Sequence, residues 1–180
     1  QKIDITALKV HYLYHSLLTL LPPFKIFHQI CTMQSLQFPN YPFRFKNSEN
    51  KPYIFDIIRK KFVIILPEEW VRQHVVWHLI VEKKYPKSLI NVEKQLQVNG
   101  LTKRYDVVVY RKDGSILLLV ECKSPEVKIS QETFNQIARY NKSLDAVYLM
   151  VTNGLHHYYC SQNFKEEKYM FLKNIPDYIP

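Results

Sequence analysis

The stretch LTKRYDVVVYRKDGSILLLVEC, residues 101–122, predicts two antiparallel strands joined by a tight turn. Both halves are rich in valine, leucine and isoleucine, and Asp113-Gly114 lies between them. Asp-Gly and Asn-Gly are favoured in two-residue hairpin turns, because these turns require positive φ. Asn99-Gly100 therefore predicts a second turn, which follows a strand of about Ile90 to Val98. The centre of the fold is predicted to be an antiparallel set of these strands.

The two predicted turns align acidic side chains across the strands. With two-residue loops, Asp106 lies opposite Glu121, and Glu93 lies opposite Asp106 on its other side. The Cβ atoms of such neighbours are about 5 Å apart, and like charges at that distance are destabilising. Carboxylates among apolar strands are costly unless a cation neutralises them. We call these residues the acidic row and expect it to bind Mg²⁺ or Mn²⁺, which carboxylate oxygens suit.

Lys123 lies on the same strand face as Glu121, two residues further on. It faces Arg104 across the predicted hairpin, so no ion pair is expected to hold it, and it can act on whatever the metal binds. Glu-x-Lys alone is a weak signal, and the alternative is that Glu121 and Lys123 are edge charges leaving the sheet. The other occurrences, which read as surface charge, are Glu49/Lys51, Glu82/Lys84, Glu126/Lys128 and Glu166/Lys168.

The remaining segments predict an α/β fold in which helices flank a mixed central sheet. A hairpin is predicted before Pro67, and a helix begins there, because proline and acidic residues favour a first helical turn. A second helix is predicted after Ser130, an N-cap residue type. The predicted strands outside the centre are Tyr53 to Ile58, Phe62 to Leu66, Ala146 to Thr152, Leu155 to Cys160 and Tyr169 to Leu172.

Composition limits the classes of protein that fit. The chain has 180 residues, enough for one domain, and a formal charge of +9, which suits nucleic acid, an anionic membrane or a solvated basic surface. Its cysteines are widely spaced and form no CxxC pair, which favours a reducing cytoplasm. Residues 1–32 are predicted to be an extension outside a domain of residues 33–180. The longest apolar stretch there, Ser16 to Leu21, is too short to cross a membrane.

Asp106, followed on the next strand by Glu121-x-Lys123, resembles the signature of the PD-(D/E)xK nuclease superfamily, with Tyr105 in place of the proline. The segments around these residues resemble the N-terminal nuclease domain of type I restriction endonuclease R subunits. Gln136 and Tyr140 match the Gln-xxx-Tyr motif of RecB-type nucleases, although a polar helix edge would look alike. Type I R subunits continue into an ATP-driven motor, and no P-loop occurs in this sequence.

The resemblance implies Mg²⁺-dependent hydrolysis of DNA. Asp106, Glu121 and the backbone carbonyl of Cys122 would bind the metal, with Glu93 as a further acid. Lys123 would position or deprotonate the attacking water. Gln136 and Tyr140 would orient the site or contact DNA. The expected partners are DNA and a separate motor or specificity subunit, and the alternative is a non-catalytic nucleic-acid-binding or interaction module.

Two other features are predicted to be structural. His74-xxx-His78 has the spacing of metal ligands on a helix but lacks the glutamate of a zincin motif, so a buried helix face is favoured. The Cys122 side chain is expected on the strand face opposite Glu121, where it packs in the core.

Overall fold

The computed structural model describes residues 34–98, 100–163, 166 and 168–179, and the predicted extension lies outside these residues. The described part contains two helices and two β-sheets, with a short 3₁₀ turn at Lys87–Leu89. The helices are α1 (Pro67–Val81) and α2 (Gln131–Asn141). The strands are β1 (Phe45–Ser48), β2 (Lys51–Asp56), β3 (Lys61–Ile64), β4 (Ile90–Val98), β5 (Leu101–Tyr110), β6 (Ile116–Cys122), β7 (Tyr148–Thr152), β8 (His157–Asn163) and β9 (Lys168–Leu172).

The larger sheet has six strands in the order β4-β5-β6-β7-β8-β9. Only β6 and β7 run parallel, and α2 lies between them in the chain, as a parallel connection requires. The predicted mixed sheet flanked by helices is therefore confirmed.

The large sheet is buried on both faces, which explains the uninterrupted apolar runs of β5, β6 and β7. One core cluster lies between the sheet and α1, and the other lies between the sheet and α2. The first includes Val71, Val75, Val107, Val120, Cys122 and Met150. The second includes Val108, Leu119, Phe134, Ile137, Leu149 and Val151.

One of the two predicted turns has the predicted length. Val98 pairs with Leu101, which leaves a two-residue loop containing Gly100 at φ +78°. The other prediction is wrong, because the backbone N–H of Arg111 donates to the carbonyl of Ser115 and leaves three residues in the loop. A turn followed by left-handed Gly114 produces this longer loop, and the Asp113 carboxylate stabilises it by accepting from Ser115.

The longer loop does not disturb the alignment of the acidic row. A register shift between Val109 and Tyr110 offsets it, so that Val107 again pairs with Val120. Continued by one residue, this register sets Asp106 opposite Glu121, as the sequence predicts.

The smaller sheet has the strand order β1-β2-β3 and packs against α1. The predicted β2–β3 hairpin is present, whereas the four-residue strand β1 was not predicted. Phe45 of β1 faces α1, where its ring lies 6.3 Å from that of Trp70, and Ile54 of β2 is fully buried. α1 ends at Val81, earlier than the predicted stop at Tyr85-Pro86, and Lys84 has left-handed backbone geometry (φ 61°).

The segment that precedes the small sheet is part of the packed domain. The backbone N–H of Gln37 donates to the carbonyl of Gly154 at 2.7 Å. Gly154 has φ +84°, and a Cβ on it would lie 2.7 Å from Leu36, so this close approach requires glycine. The prediction that residues 1–32 lie outside the domain stays a prediction.

The histidines of α1 lie in an aromatic cluster with Phe38, Phe43 and Trp70. Burial lowers the pKa of His74, and it lowers the pKa of His78 to about 4. Both side chains are therefore neutral and packed near pH 7, which agrees with the buried helix face predicted for them. Neither described helix is long and apolar enough to cross a bilayer.

Candidate active site

Asp106 is a buried carboxylate in the middle of β5. Its side chain is 12% exposed, and Oδ2 accepts a hydrogen bond of 2.7 Å from the backbone N–H of Cys122. Burial and the nearby charge of Glu121 raise the pKa of Asp106 to about 7, although Arg72 and the Cys122 N–H oppose the increase. Asp106 is thus a strained anion at neutral pH, and a further cation beside it would be favourable.

Glu121 and Lys123 form an ion pair of 2.6 Å between Oε1 and Nζ. The expectation that no ion pair would hold Lys123 is therefore wrong. Side chains two residues apart on a strand share a face, and Lys123 follows the end of β6, so its long chain can turn back to Glu121. Burial alone would lower the pKa of Lys123, but the hydrogen bond and charge of Glu121 raise it. Lys123 is therefore a cation in this arrangement.

Gln136 is brought to the same place as Glu121. A small cleft on the α2 side of the sheet is lined by Tyr105, Glu121, Thr133, Gln136 and Ile137. Tyr140 follows Gln136 by four residues on α2, close to the end of that helix. The cleft therefore joins one residue of the Gln-xxx-Tyr pattern to the Glu-x-Lys pattern.

Sequence reasoning missed Arg72, the buried cation beside the acidic row. Its guanidinium contacts Glu69 at 2.8 Å, Glu68 at 3.5 Å and Asp106 at 3.3 Å, and it also contacts Glu93. Burial opposes its charge, yet Glu69 and Asp106 outweigh burial and raise its pKa. A charged residue between Val71 and Gln73 on the apolar face of a helix was the available signal.

Glu93 lies beside the row with its carboxylate already paired. One oxygen contacts Arg72, and the other lies 3.1 Å from Nη1 of Arg104. The backbone of Glu93 is left-handed (φ 53°) within β4, a conformation that is uncommon for a non-glycine residue. Arginines thus supply part of the positive charge that the sequence assigned wholly to a metal ion.

The contacts of Arg72 continue into a buried polar network that reaches the small sheet. Arg59 joins Asp56, at 2.6 Å, to Glu69, at 2.8 Å. The amide of Gln73 donates to the same two carboxylates, at 3.0 and 2.8 Å. The arginine network, defined as Asp56, Arg59, Glu69, Gln73 and Arg72, therefore links the end of β2 to Asp106.

The donor set suits a hard divalent cation only in part. Within the described residues, no three side chains of His, Cys, Asp or Glu come together as a group that could hold an ion. Two carboxylates and a backbone carbonyl form a smaller, oxygen-only set, and the mutual repulsion of Asp106 and Glu121 is relieved when a cation lies between them. The thiol of Cys122 takes no part, since it is fully buried and its pKa is raised well above the usual range.

Comparison with known proteins gives one family. A family model described as "Type I restriction enzyme R protein N terminus" matches residues 67–176, more than half of the chain. The match includes both helices and the whole larger sheet, and it leaves β1, β2 and β3 outside.

One solved structure is similar, a fragment of a protein described as an HsdR subunit of a type I restriction enzyme from Vibrio vulnificus YJ016. The TM-score is 0.45 at 19% identity, and the alignment covers 63% of this chain and 24% of that chain. A search of curated protein sequences gave no significant match.

Proposed function

Because this chain belongs to the family of type I restriction enzyme R protein N termini, we propose that it is a metal-dependent nuclease that hydrolyses phosphodiester bonds in DNA. The observation that carries the proposal is the meeting of Asp106 with the Glu121–Lys123 pair across one hairpin. A buried anion, a second carboxylate and a lysine ammonium are the groups that such hydrolysis needs.

Asp106 and Glu121, with the backbone carbonyl of Cys122, would hold Mg²⁺ or Mn²⁺. When bound, the ion would polarise the phosphate and lower the pKa of a bound water. Glu93 would have to release Arg72 or Arg104 to become a ligand, so its part is to hold Arg72 beside Asp106 unless that exchange occurs.

Lys123 would orient the attacking water and stabilise negative charge that develops on the phosphate. Its raised pKa favours this role over proton abstraction, because a protonated amine cannot act as a base. In the present arrangement its ammonium is held by Glu121. Ligation of Glu121 to a cation would weaken that hold and free Lys123 for the substrate.

Gln136 and Tyr140 would contact the DNA backbone on the α2 side of the site. Gln136 lines the cleft with Glu121, and its amide can both donate and accept a hydrogen bond. A phosphate that enters this cleft would reach Gln136 and Glu121 together. DNA is therefore the proposed partner, together with a separate motor or specificity subunit, in a cytoplasm where Cys122 and Cys160 stay reduced.

A second function, a nucleic-acid-binding module without catalysis, is favoured by one observation. Each acid of the row already has a basic neighbour: Glu121 has Lys123, Glu93 has Arg72 and Arg104, and Asp106 has Arg72. Such a set could be complete as a structural ion network that needs no metal.

Cleavage assays separate the two functions. Linear, circular and single-stranded DNA would be incubated with the full chain in Mg²⁺, Mn²⁺ or EDTA. We expect cleavage with either ion and none in EDTA. Lys123→Ala should lower the cleavage rate about 10²–10³-fold, the usual effect of removing a group that stabilises transition-state charge.

Lys168→Ala is the matched control. Lys168 also follows a Glu-x-Lys pattern, with Glu166, but lies on β9 at the far edge of the sheet, so its loss should leave the rate unchanged. Equal cleavage by wild type and Lys123→Ala would contradict the assigned mechanism. No cleavage of any DNA form with either ion would favour the binding module.

A further inference from the structure

The small sheet exposes a basic and aromatic face on the side away from α1. We call it the outer face and define it by Arg44, Lys46, Tyr53, Phe55 and Phe62. The strand register groups these residues, because Lys46 pairs with Tyr53 and Phe55 pairs with Phe62. Alternation along the strands sends Ile54 and Asp56 to the buried inner face.

The cations of the outer face lie over its rings. The guanidinium carbon of Arg44 is 4.3 Å from the ring centre of Phe55 and 5.9 Å from that of Phe62. Nζ of Lys46 is 5.2 Å from the ring centre of Tyr53 and 4.8 Å from that of Phe62. Cation–π contacts of this kind reduce the freedom of long side chains without neutralising their charge.

The charges of the outer face are available to a partner. Arg59 and Arg72 each contact at least two carboxylates, whereas Arg44 and Lys46 contact none within the described residues. Lys51, Lys60 and Lys61, all exposed, add positive charge at the ends of the same strands, and Glu49 in the β1–β2 turn is the nearest acid in sequence. Charge complementarity therefore favours a polyanion.

We infer that the outer face binds a single-stranded segment of nucleic acid. Arg44 and Lys46 would contact phosphates, and bases would stack on Tyr53, Phe55 and Phe62. Aromatic rings on an open sheet, surrounded by cations, are what single-strand binding requires, because every base has a face that can stack. Duplex DNA buries its base faces and would use only the cations.

The arginine network ties this face to the candidate active site. Asp56 ends β2 and holds Arg59, which contacts Glu69, and Glu69 contacts Arg72 beside Asp106. A strand bound on the outer face would therefore have a fixed position relative to Asp106. The small sheet precedes the segment matched by the family model, so the family does not supply this surface. The inference rests on the proposed function in taking nucleic acid as the ligand.

The test is a binding measurement with cleavage switched off. Fluorescence anisotropy of a labelled oligothymidine of about 20 nucleotides, longer than the roughly 4–16 that a small sheet domain contacts, would be followed in EDTA with the full chain. Replacing both cations, Arg44→Gln with Lys46→Gln, should weaken binding about tenfold. It should also reduce the dependence of log affinity on log salt by about one to two charges.

A charge-matched control is available on the opposite side of the molecule. Lys168→Gln with Lys173→Gln removes the same formal charge from exposed positions in and just after β9. This variant should bind within about twofold of wild type, because only general attraction is reduced. Thermal melts of both double variants would verify that they are folded.

Stacking has its own variant. Phe62→Leu keeps an apolar side chain at a half-buried position and removes the ring that both cations contact. We expect it to lose about fivefold in affinity for the single strand and little for a duplex of equal length.

The outcomes decide between the possibilities. Unchanged affinity in the Arg44 and Lys46 double variant, or an equal loss in the β9 control, would overturn the inference, and so would a duplex that binds wild type as tightly as the single strand. Selective loss in the outer-face variants supports it even if wild type never cleaves in Mg²⁺ or Mn²⁺. That last result would refute the nuclease and leave the binding surface in place.

Discussion

The two halves of the acidic row differ in how their charge is held. Asp106 is buried and contacts Arg72, a cation that is itself bound by several carboxylates. Glu121 is 26% exposed and contacts Lys123, which is 29% exposed and has no other acid partner among the described residues. The buried half is a fixed scaffold, because breaking it leaves charges out of water. The exposed half can rearrange at little cost, as a site that admits a metal and a substrate must.

Removing Arg72 should give the largest change. Arg72→Met leaves Glu69, Glu93 and Asp106 without their common cation, and breaking a buried ion network typically costs about 3–5 kcal/mol. Urea unfolding at pH 8 would measure it. Arg104→Met is the matched control, since Arg104 also contacts Glu93 but is 63% exposed, and it should cost under about 1 kcal/mol. Equal losses would show that the two halves do not differ.

Replacing Asp106 should stabilise the metal-free protein at high pH. The pKa of Asp106 is raised from 3.8 to about 7, so the folded state holds a proton that the unfolded state has released. Stability is therefore lost as pH rises from about 4 to 7. Asp106→Asn, which keeps an acceptor for the Cys122 N–H, should gain about 1–2 kcal/mol at pH 8, less than the full shift because its amide faces Arg72.

The gain should shrink as pH falls from 7 towards 4, where the wild-type carboxyl regains its proton. Unfolding curves of both proteins across this range would test it. A gain that is constant with pH would mean that the charge of Asp106 is not the cause.

Metal binding should join the two halves. Mn²⁺ at about ten times its dissociation constant should add about 1.4 kcal/mol to the free energy of unfolding. The increase should be greater at pH 8 than at pH 6, because a proton on Asp106 competes with the ion. Thermal melts with and without Mn²⁺ would measure this, and an equal increase in Asp106→Asn would argue against Asp106 as a ligand.

The smallest effect should come from the exposed pair. Lys123→Met removes an ion pair whose members are both more than a quarter exposed, and such pairs contribute about 0–1 kcal/mol. Its urea midpoint should therefore stay close to that of wild type while cleavage is lost. A loss as large as that of Arg72→Met would place Lys123 in the scaffold.

Much of the central sheet could be predicted from the sequence, because its signals are local. The limits of β4, β5 and β6 follow from apolar runs and glycine turns, and the start of α1 follows from Pro67. The loop at Asp113 was predicted one residue too short, because Asp-Gly also fits a longer turn closed by a left-handed glycine. The alignment survived because the β-bulge near Tyr110, which no residue pattern announced, offset the extra residue.

The sequence by itself determined which residue types meet across the hairpin, since strand pairing converts spacing along the chain into distance. Tertiary structure alone decided how those charges are balanced. Arg72 reaches Asp106 only because α1 packs on that face of the sheet, and Glu93 is paired only because Arg72 and Arg104 converge on it. Arg59 likewise joins Asp56 to Glu69 across a gap that has no counterpart in sequence spacing. Electrostatic balance depends on every group that packs within a few ångströms, whatever its place in the chain, whereas strand register depends on neighbours that are close in sequence.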